Sequence, residues 1–139
     1  MTTTTFPNIL ILLAHLTGSQ QRSAIHAAMR GEEGQFFREK LEALRQLWNA
    51  MPATYESVAK GRAALAQFHF FTAGADWYIV EKDIDPDGDG QIQAFGIADL
   101  GYGPELGYIS LPEILAAGAE LDIYFAAKTV AEITGRCLA

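Results

Sequence analysis

The chain has 139 residues, of which 50% are hydrophobic and 19% are charged, and its formal net charge is −7. This length suits one domain with a single core, and the composition excludes an intrinsically disordered chain. The longest apolar run, residues 9–14, is much shorter than the roughly 20 residues that cross a bilayer, so no membrane-spanning segment is predicted.

The charge is unevenly distributed along the chain. Residues 1–60 carry six basic and five acidic side chains, whereas residues 61–139 carry four and twelve. A negative field of this kind repels nucleic acid backbones and attracts basic proteins. Arg22, His26 and Arg30 form one helical row that could contact phosphates, but the acidic half opposes it, so nucleic acid binding is not predicted.

The N-terminus lacks the basic start of a secretory signal, which predicts a cytoplasmic protein. The single cysteine, Cys137, has no second cysteine with which to form an internal disulfide, and we interpret it as a bystander.

Two helices are predicted in the first third of the chain. The first covers Ser19 to Arg30, with Ser19 as its cap and Gly31 at its end. The second carries a 4, 3, 4, 3 spacing of apolar residues that predicts a buried stripe, and Pro52 ends it. The stripe consists of Phe37, Leu41, Leu44, Trp48 and Met51.

From residue 64 the apolar period changes to two, which predicts strands. The predicted strands are Leu65–Thr72, Trp77–Val80, Gln91–Asp99, Glu105–Ser110 and Leu121–Phe125, and short helices are predicted at Leu111–Gly118 and Lys128–Thr134. The first four strands have connections too short for parallel crossovers, so they form an antiparallel meander.

The predicted fold class is therefore α+β, an antiparallel meander sheet of about five strands with the N-terminal helices packed on one face. We interpret residues 1–139 as a single domain. It comprises an N-terminal segment (1–18), a helical part (19–51), a connector and a sheet-rich part (62–139).

The segment Asp85-Pro-Asp-Gly-Asp-Gly90 is similar to the start of a calcium loop. Counting from Asp85, Asp87 and Asp89 stand at ligand positions 3 and 5, and Gly90 stands at the turn position 6. Position 12, however, is Gly96, which cannot supply the bidentate carboxylate. A hairpin turn between strands is the favoured interpretation, and a calcium site at Asp85, Asp87 and Asp89 remains the alternative.

Other candidate sites have simple structural explanations. The glycines at 101, 103 and 107 lack the spacing of a dinucleotide loop and predict a turn. His69 is interpreted as a sheet residue rather than a general base. Carboxylates at Asp76, Glu81, Asp83, Asp99 and Glu105 near strand ends either form a solvated rim or converge into a metal or acid-base site, for which Glu81, Asp83, Asp99 and Glu105 are the candidates.

Three segments together resemble a known family: residues 29–37 (MRGEEGQFF), residues 76–83 (DWYIVEKD), and residues 94–101 (AFGIADLG) leading to 105–110 (ELGYIS). They are similar to DUF2958, a family of small proteins of unknown function carried by bacterial plasmids and conjugative elements. The core of the resemblance covers residues 68–125. The resemblance implies genetic location but no activity, and the family's hairpin varies in length and acid content, which disfavours a required calcium site.

These observations lead to a hypothesis of a non-catalytic accessory protein whose acidic surface binds a basic protein partner. The residues assigned to that surface are Asp85, Asp87, Asp89, Tyr102 and Glu105. Antagonism of a host defence complex is one specific form of the hypothesis. The alternative is a carboxylate-based metal-binding protein or enzyme, and no other cofactor is predicted.

Overall fold

A computed structural model describes residues 2–3, 5–52, 58–82, 84–85 and 93–135. The helices are α1 (Ile9–Leu16), α2 (Ser19–Met29), α3 (Gly34–Ala50), α4 (Leu111–Ala116) and α5 (Val130–Thr134), with a 3-10 segment at Val58–Ala63. The strands are β1 (Thr2–Thr3), β2 (Leu65–Ala66), β3 (Phe68–Phe71), β4 (Asp76–Lys82), β5 (Ile84–Asp85), β6 (Gln93–Asp99), β7 (Pro104–Ser110), β8 (Glu120–Leu121) and β9 (Lys128–Thr129).

The main sheet has five strands in the order β7-β6-β4-β3-β8, and all neighbours are antiparallel. Strands β3, β4, β6 and β7 form the predicted meander, and the register of β4 on β6 shifts between Ile79 and Glu81, which marks a bulge. Two short pairs, β1 with β5 and β2 with β9, lie outside this sheet. The α+β class is confirmed.

The N-terminal helices cover one face of the sheet. Phe68, Phe70 and Ile79 alternate along β3 and β4 and pack in one cluster with Leu41 and Trp48 of α3. The opposite face, called here the second face, carries Tyr78, Val80 and Ile97, which pack against Ala66 and Val130 in a smaller cluster. Alternation along the strands therefore gives the sheet two different surfaces.

Helix α1 is an element that the sequence pattern did not predict. Its residues Leu12, Leu13 and Leu16 are fully buried. Before it, the ring of Phe6 stacks on Trp48 with centroids 5.3 Å apart, while the amide of Asn49 binds both backbone groups of Phe6. The segment 1–18 thus contributes to the main core through its apolar residues.

Basic side chains bind the carbonyl groups at the ends of the three N-terminal helices. Arg22 donates to Leu13, Ala14 and Thr17 at the end of α1, and Arg38 donates to Met29 at the end of α2. Lys82, which is 2% exposed, donates from Nζ to the carbonyls of Trp48 and Asn49 at the end of α3. Cations at helix C-termini satisfy orphan carbonyls and complement the helix dipole. Arg22 of the predicted basic row therefore has a structural role.

Most predicted helices and strands lie close to their observed positions, but several details differ. Ser19 is the first residue of α2 rather than its cap, which is Gly18, and the predicted helix Lys128–Thr134 begins as strand β9 before α5 starts at Val130. The predicted strand Leu65–Thr72 divides into β2 and β3. The predicted strand Leu121–Phe125 is strand only at Glu120–Leu121, because the Asp122 carboxylate accepts a hydrogen bond from the Tyr124 amide and closes a turn. Among the described residues, no helix is long and apolar enough to span a membrane.

The two edges of the sheet are finished differently. At the β8 edge, the Gln21 amide accepts from the Leu121 N–H (2.8 Å) and donates to the Leu121 carbonyl (2.7 Å), as a neighbouring strand would. At the other edge lies β7, whose ladder partner is β6. One edge is thus closed by a side chain, which is a common way to protect an edge strand.

Candidate functional site

Carboxylates collect at one end of the second face. Register pairs place Asp99 of β6 opposite Asp76 of β4, Asp76 opposite Phe71 of β3, and Phe71 opposite Glu120 of β8. Directly opposed residues point to the same face of a sheet. One row across four strands therefore carries three carboxylates and one phenylalanine that is 36% exposed.

The adjacent row carries His69 and Tyr78, which are register partners on β3 and β4. His69 lies between two aspartates, with Nε2 at 2.7 Å from Asp76 and Nδ1 at 2.9 Å from Asp122. Tyr78 stacks on the imidazole with ring centroids 4.6 Å apart. Asp122 therefore lies close to Asp76 of the first row, on the other side of the same imidazole.

The contacts of His69 indicate a positioning role. An ionised carboxylate only accepts hydrogen bonds, so both contacts are satisfied when both ring nitrogens donate. A general base instead needs a ring nitrogen directed at a substrate. His69 therefore connects β3, β4 and the turn at Asp122, in agreement with its interpretation as a sheet residue.

The carboxylates of this region act electrostatically on Tyr78. Burial raises the pKa of the Tyr78 phenol, and the negative charges of Asp76, Asp99 and Asp122 raise it further. Each of these charges disfavours the phenolate form. All three aspartates therefore act on the same phenol.

The turn between β6 and β7 lies at the same end of the sheet. The Asp99 carboxylate accepts from the backbone N–H groups of Gly101 (2.9 Å) and Gly103 (3.3 Å). Both glycines have positive φ, 101° and 110°, a region that favours glycine. This turn holds Tyr102 outward with 96% of its surface exposed.

Glu105 follows the turn but points to the opposite face. It pairs with Ala98, whereas Asp99 pairs with Pro104, so alternation places Glu105 on the helix-covered side. We call the five carboxylates at this end of the sheet the acidic end: Asp76, Asp99, Glu105, Glu120 and Asp122. Within the described parts of the chain, their only ion pairs are those with His69.

The residues that the sequence assigned to one binding surface divide into two groups. Tyr102 and Glu105 lie at the acidic end. Asp85 lies beyond the other end of β4, where its backbone pairs with Thr2. Since the seven residues of β6 separate these ends, the two groups are about 20 Å apart. Asp87 and Asp89 lie outside the described residues.

The proposed calcium loop meets a steric limit at its closing position. Gly96, at position 12, lies in β6 opposite Ile79, and an added Cβ would collide with the carbonyl oxygen of Tyr78. This position therefore excludes any side chain, including the carboxylate that a calcium loop uses there. The rest of the loop lies outside the described residues, so the calcium alternative stays a prediction.

The acids of the enzyme alternative do not form a cluster where they are described. Glu81 is 3% exposed and lies opposite Phe95, several residues along β4 from the acidic end. Asp99 and Glu105 point to opposite faces, and Asp83 lies outside the described residues. Over the ranges that the structure covers, no group of three or more acidic, histidine or cysteine side chains could hold a metal ion.

Sequence reasoning missed Glu120, Asp122 and Phe71 as members of this region. The pairing of β8 with β3 was not predicted. That long-range pairing brings Glu120 and Asp122 beside His69, and no local pattern encodes it.

A family model described as protein of unknown function (DUF2958) matches residues 39–131, about two thirds of the chain. The chain belongs to the DUF2958 family. The match runs from within α3 into α5 and therefore includes the whole acidic end, whereas α1 and α2 precede it. No curated protein and no solved structure matches the chain.

Proposed function

We propose that this DUF2958 protein is a non-catalytic, cytoplasmic accessory protein of a bacterial mobile element, and that its acidic end binds a basic protein partner. The observation that carries the proposal is the convergence of Asp76, Asp99 and Asp122 around Tyr78, with Glu120 in the same row. A patch of one charge sign attracts a partner of the opposite sign and accelerates its association.

Exposed rings beside the carboxylates favour arginine-rich partners in particular. Tyr102 is 96% exposed and Phe71 is 36% exposed. An arginine guanidinium can stack on an aromatic face while it donates to a carboxylate. A surface with both groups can bind the same arginines and lysines that hold phosphates on a nucleic-acid-binding protein. One specific form of the proposal is therefore antagonism of a host defence complex by occupation of its nucleic-acid-binding surface.

The geometry of His69 supports a binding role over a catalytic one. Both of its ring nitrogens contact carboxylates, so neither is directed at a substrate. These groups build a rigid charged surface. The shape of that surface depends on the contacts of His69 with Asp76 and Asp122. A test should therefore remove the charge of other carboxylates and keep these two contacts.

The test is an affinity pull-down from nuclease-treated bacterial lysate at low and then moderate salt. The wild-type chain is compared with a triple variant, Asp99→Asn, Glu105→Gln and Glu120→Gln, which leaves the His69 contacts in place. The control triple variant is Glu32→Gln, Glu33→Gln and Glu39→Gln, which removes the same charge from exposed positions before and within α3.

We expect a basic protein to be retained by the wild type and the control but lost from the acidic-end variant, and to be released as salt screens the contact. Equal retention by both triple variants would contradict the proposal.

A further inference from the structure

Among the described strands, β7 pairs with β6 alone and is therefore the edge of the sheet next to the acidic end. The other edge is closed by the Gln21 amide, which pairs with Leu121 as a strand would. Strand β7 is seven residues long, and its first part is exposed, with Leu106 at 57%. An edge strand of this length presents backbone groups that can pair with another extended chain.

The side chains of β7 determine which side-chain pattern an extended chain needs in order to pair with this edge. Leu106 points to the second face, opposite Ile97, and offers an apolar contact. Glu105 points to the helix-covered face and offers a negative charge. Gly107 adds space, because an added Cβ there would meet nothing within 4 Å. A strand laid along β7 would therefore place apolar residues on one face and a basic residue on the other.

Charge decides between a second copy of this chain and a different partner. Residues 61–139 carry a net charge of −8, so two copies would bring two negative sheets together. A basic strand would instead be attracted by the negative charge of this part of the chain.

We propose that β7 accepts an extended, basic segment of the partner as a sixth strand, with alternating apolar and basic side chains. This inference rests on the proposed function and adds the mode of recognition. Backbone hydrogen bonds from the β7 edge hold the segment, Leu106 contacts its apolar side chains, and Glu105 contacts its basic side chains.

The probe is a synthetic peptide of alternating valine and lysine, about twelve residues long, which exceeds the length of a typical strand. Two control peptides are used. One has the same sequence with all internal amides N-methylated, which keeps the charge but removes the strand donors. The other has glutamate in place of lysine. Binding to the full chain is measured by fluorescence anisotropy, and hydrogen exchange of the β7 amides is measured with and without peptide.

We expect the valine-lysine peptide to bind and to slow exchange in β7, and the N-methylated peptide to bind about tenfold more weakly or not at all. Leu106→Asn should weaken binding about fivefold or more. Leu10→Asn is the matched control, because Leu10 on α1 is 56% exposed. The affinity of this variant for the valine-lysine peptide should stay within about twofold of the wild-type value.

Three outcomes would overturn the inference. Equal binding of the N-methylated peptide would show that the peptide binds through charge alone. This result would disprove strand pairing at β7 and leave the acidic-end proposal unaffected. Absence of peptide binding at low salt would disprove strand pairing at β7, whatever the result of the pull-down. A dimer in sedimentation equilibrium that is lost in Leu106→Asn would identify a second copy as the occupant of β7.

Discussion

Asp76 and Asp99 lie directly opposite each other on β4 and β6, with both side chains on the second face. Like charges at such a position destabilise an antiparallel sheet. Asp76 contacts the imidazole of His69, and Asp99 accepts two backbone N–H groups, yet both carboxylates still contribute to the raised pKa of Tyr78. The pair is therefore a place where a cation from a partner would relieve repulsion.

Replacing Asp99 by asparagine should stabilise the protein slightly. The side-chain oxygen can still accept from Gly101 and Gly103, while the repulsion with Asp76 disappears, so the free energy of unfolding should rise by about 0.2–1 kcal/mol. Urea denaturation measures this change. Asp99→Ala, which also removes the turn acceptor, should lower the free energy of unfolding by about 1 kcal/mol. A clear loss of stability in Asp99→Asn would show that the turn needs the charge.

The Tyr78 phenol should titrate above the ordinary range for tyrosine. Its pKa is raised by burial and then by Asp76, Asp99 and Asp122, so Asp99→Asn should lower it towards the usual value. Absorbance titration at alkaline pH, with Tyr78→Phe to identify the signal, measures the shift. An unchanged Tyr78 titration in Asp99→Asn would refute the shared field.

The same shift predicts how stability depends on alkaline pH. The folded state retains the Tyr78 proton to higher pH than the unfolded state does, so this contribution is complete below a pH of about 10. It is lost as pH rises through the folded-state pKa. Tyr78→Phe should therefore flatten the decline of the free energy of unfolding in that pH range relative to the wild type.

Gly96 and Gly107 are register partners that should respond oppositely to alanine. A Cβ at Gly96 would collide with the Tyr78 carbonyl, so Gly96→Ala should cost about 1–3 kcal/mol or prevent folding. At Gly107 the space is open, and alanine should be neutral or stabilise by about 0.5–1 kcal/mol. Thermal and urea unfolding of both variants measure the change in the free energy of unfolding. Equal changes in the two variants would contradict the close approach of β4 to Gly96.

Calcium should leave the thermal midpoint unchanged. The loop from Asp85 has its closing position at Gly96, which lies within β6 and has no room for a side chain. Ligand binding to the folded state raises the midpoint by an amount that grows with the logarithm of the ratio of ligand concentration to Kd, so a comparison of millimolar calcium with a chelator detects binding with a Kd below the millimolar range. A rise with calcium that disappears in Asp87→Asn would establish the alternative site.

Alternation and helical period in the sequence predicted the sheet and two of the helices well. Phe68 and Phe70 were predicted to share one orientation, and both are buried in the main core, whereas Ala66, which was predicted to share it, lies in β2 and packs in the second-face cluster. Helix α1 was missed because residues 9–14 are all apolar, and a helical stripe cannot be recognised without polar residues between its members. Its burial depends on contacts with α3 and α4 that local pattern does not encode.

The acidic end could be predicted only in part, for a similar reason. Tyr102 and Glu105 were recognised because they flank a glycine-rich turn. Asp122 and Glu120 belong to this end through the pairing of β8 with β3 across some fifty residues of chain, and such pairings are set by tertiary packing. The strand alternation also separates Asp99 from Glu105, which are close in sequence but lie on opposite faces.

The most direct test of the central claim is the affinity of the purified basic partner for three proteins across a series of salt concentrations. These are the wild type, the acidic-end variant (Asp99→Asn, Glu105→Gln, Glu120→Gln) and the control (Glu32→Gln, Glu33→Gln, Glu39→Gln). We predict that the acidic-end variant binds about tenfold more weakly, with a shallower salt dependence, while the control stays within about twofold of wild type. Equal affinities for the two triple variants, or an affinity that does not change with salt, would contradict binding through the acidic end.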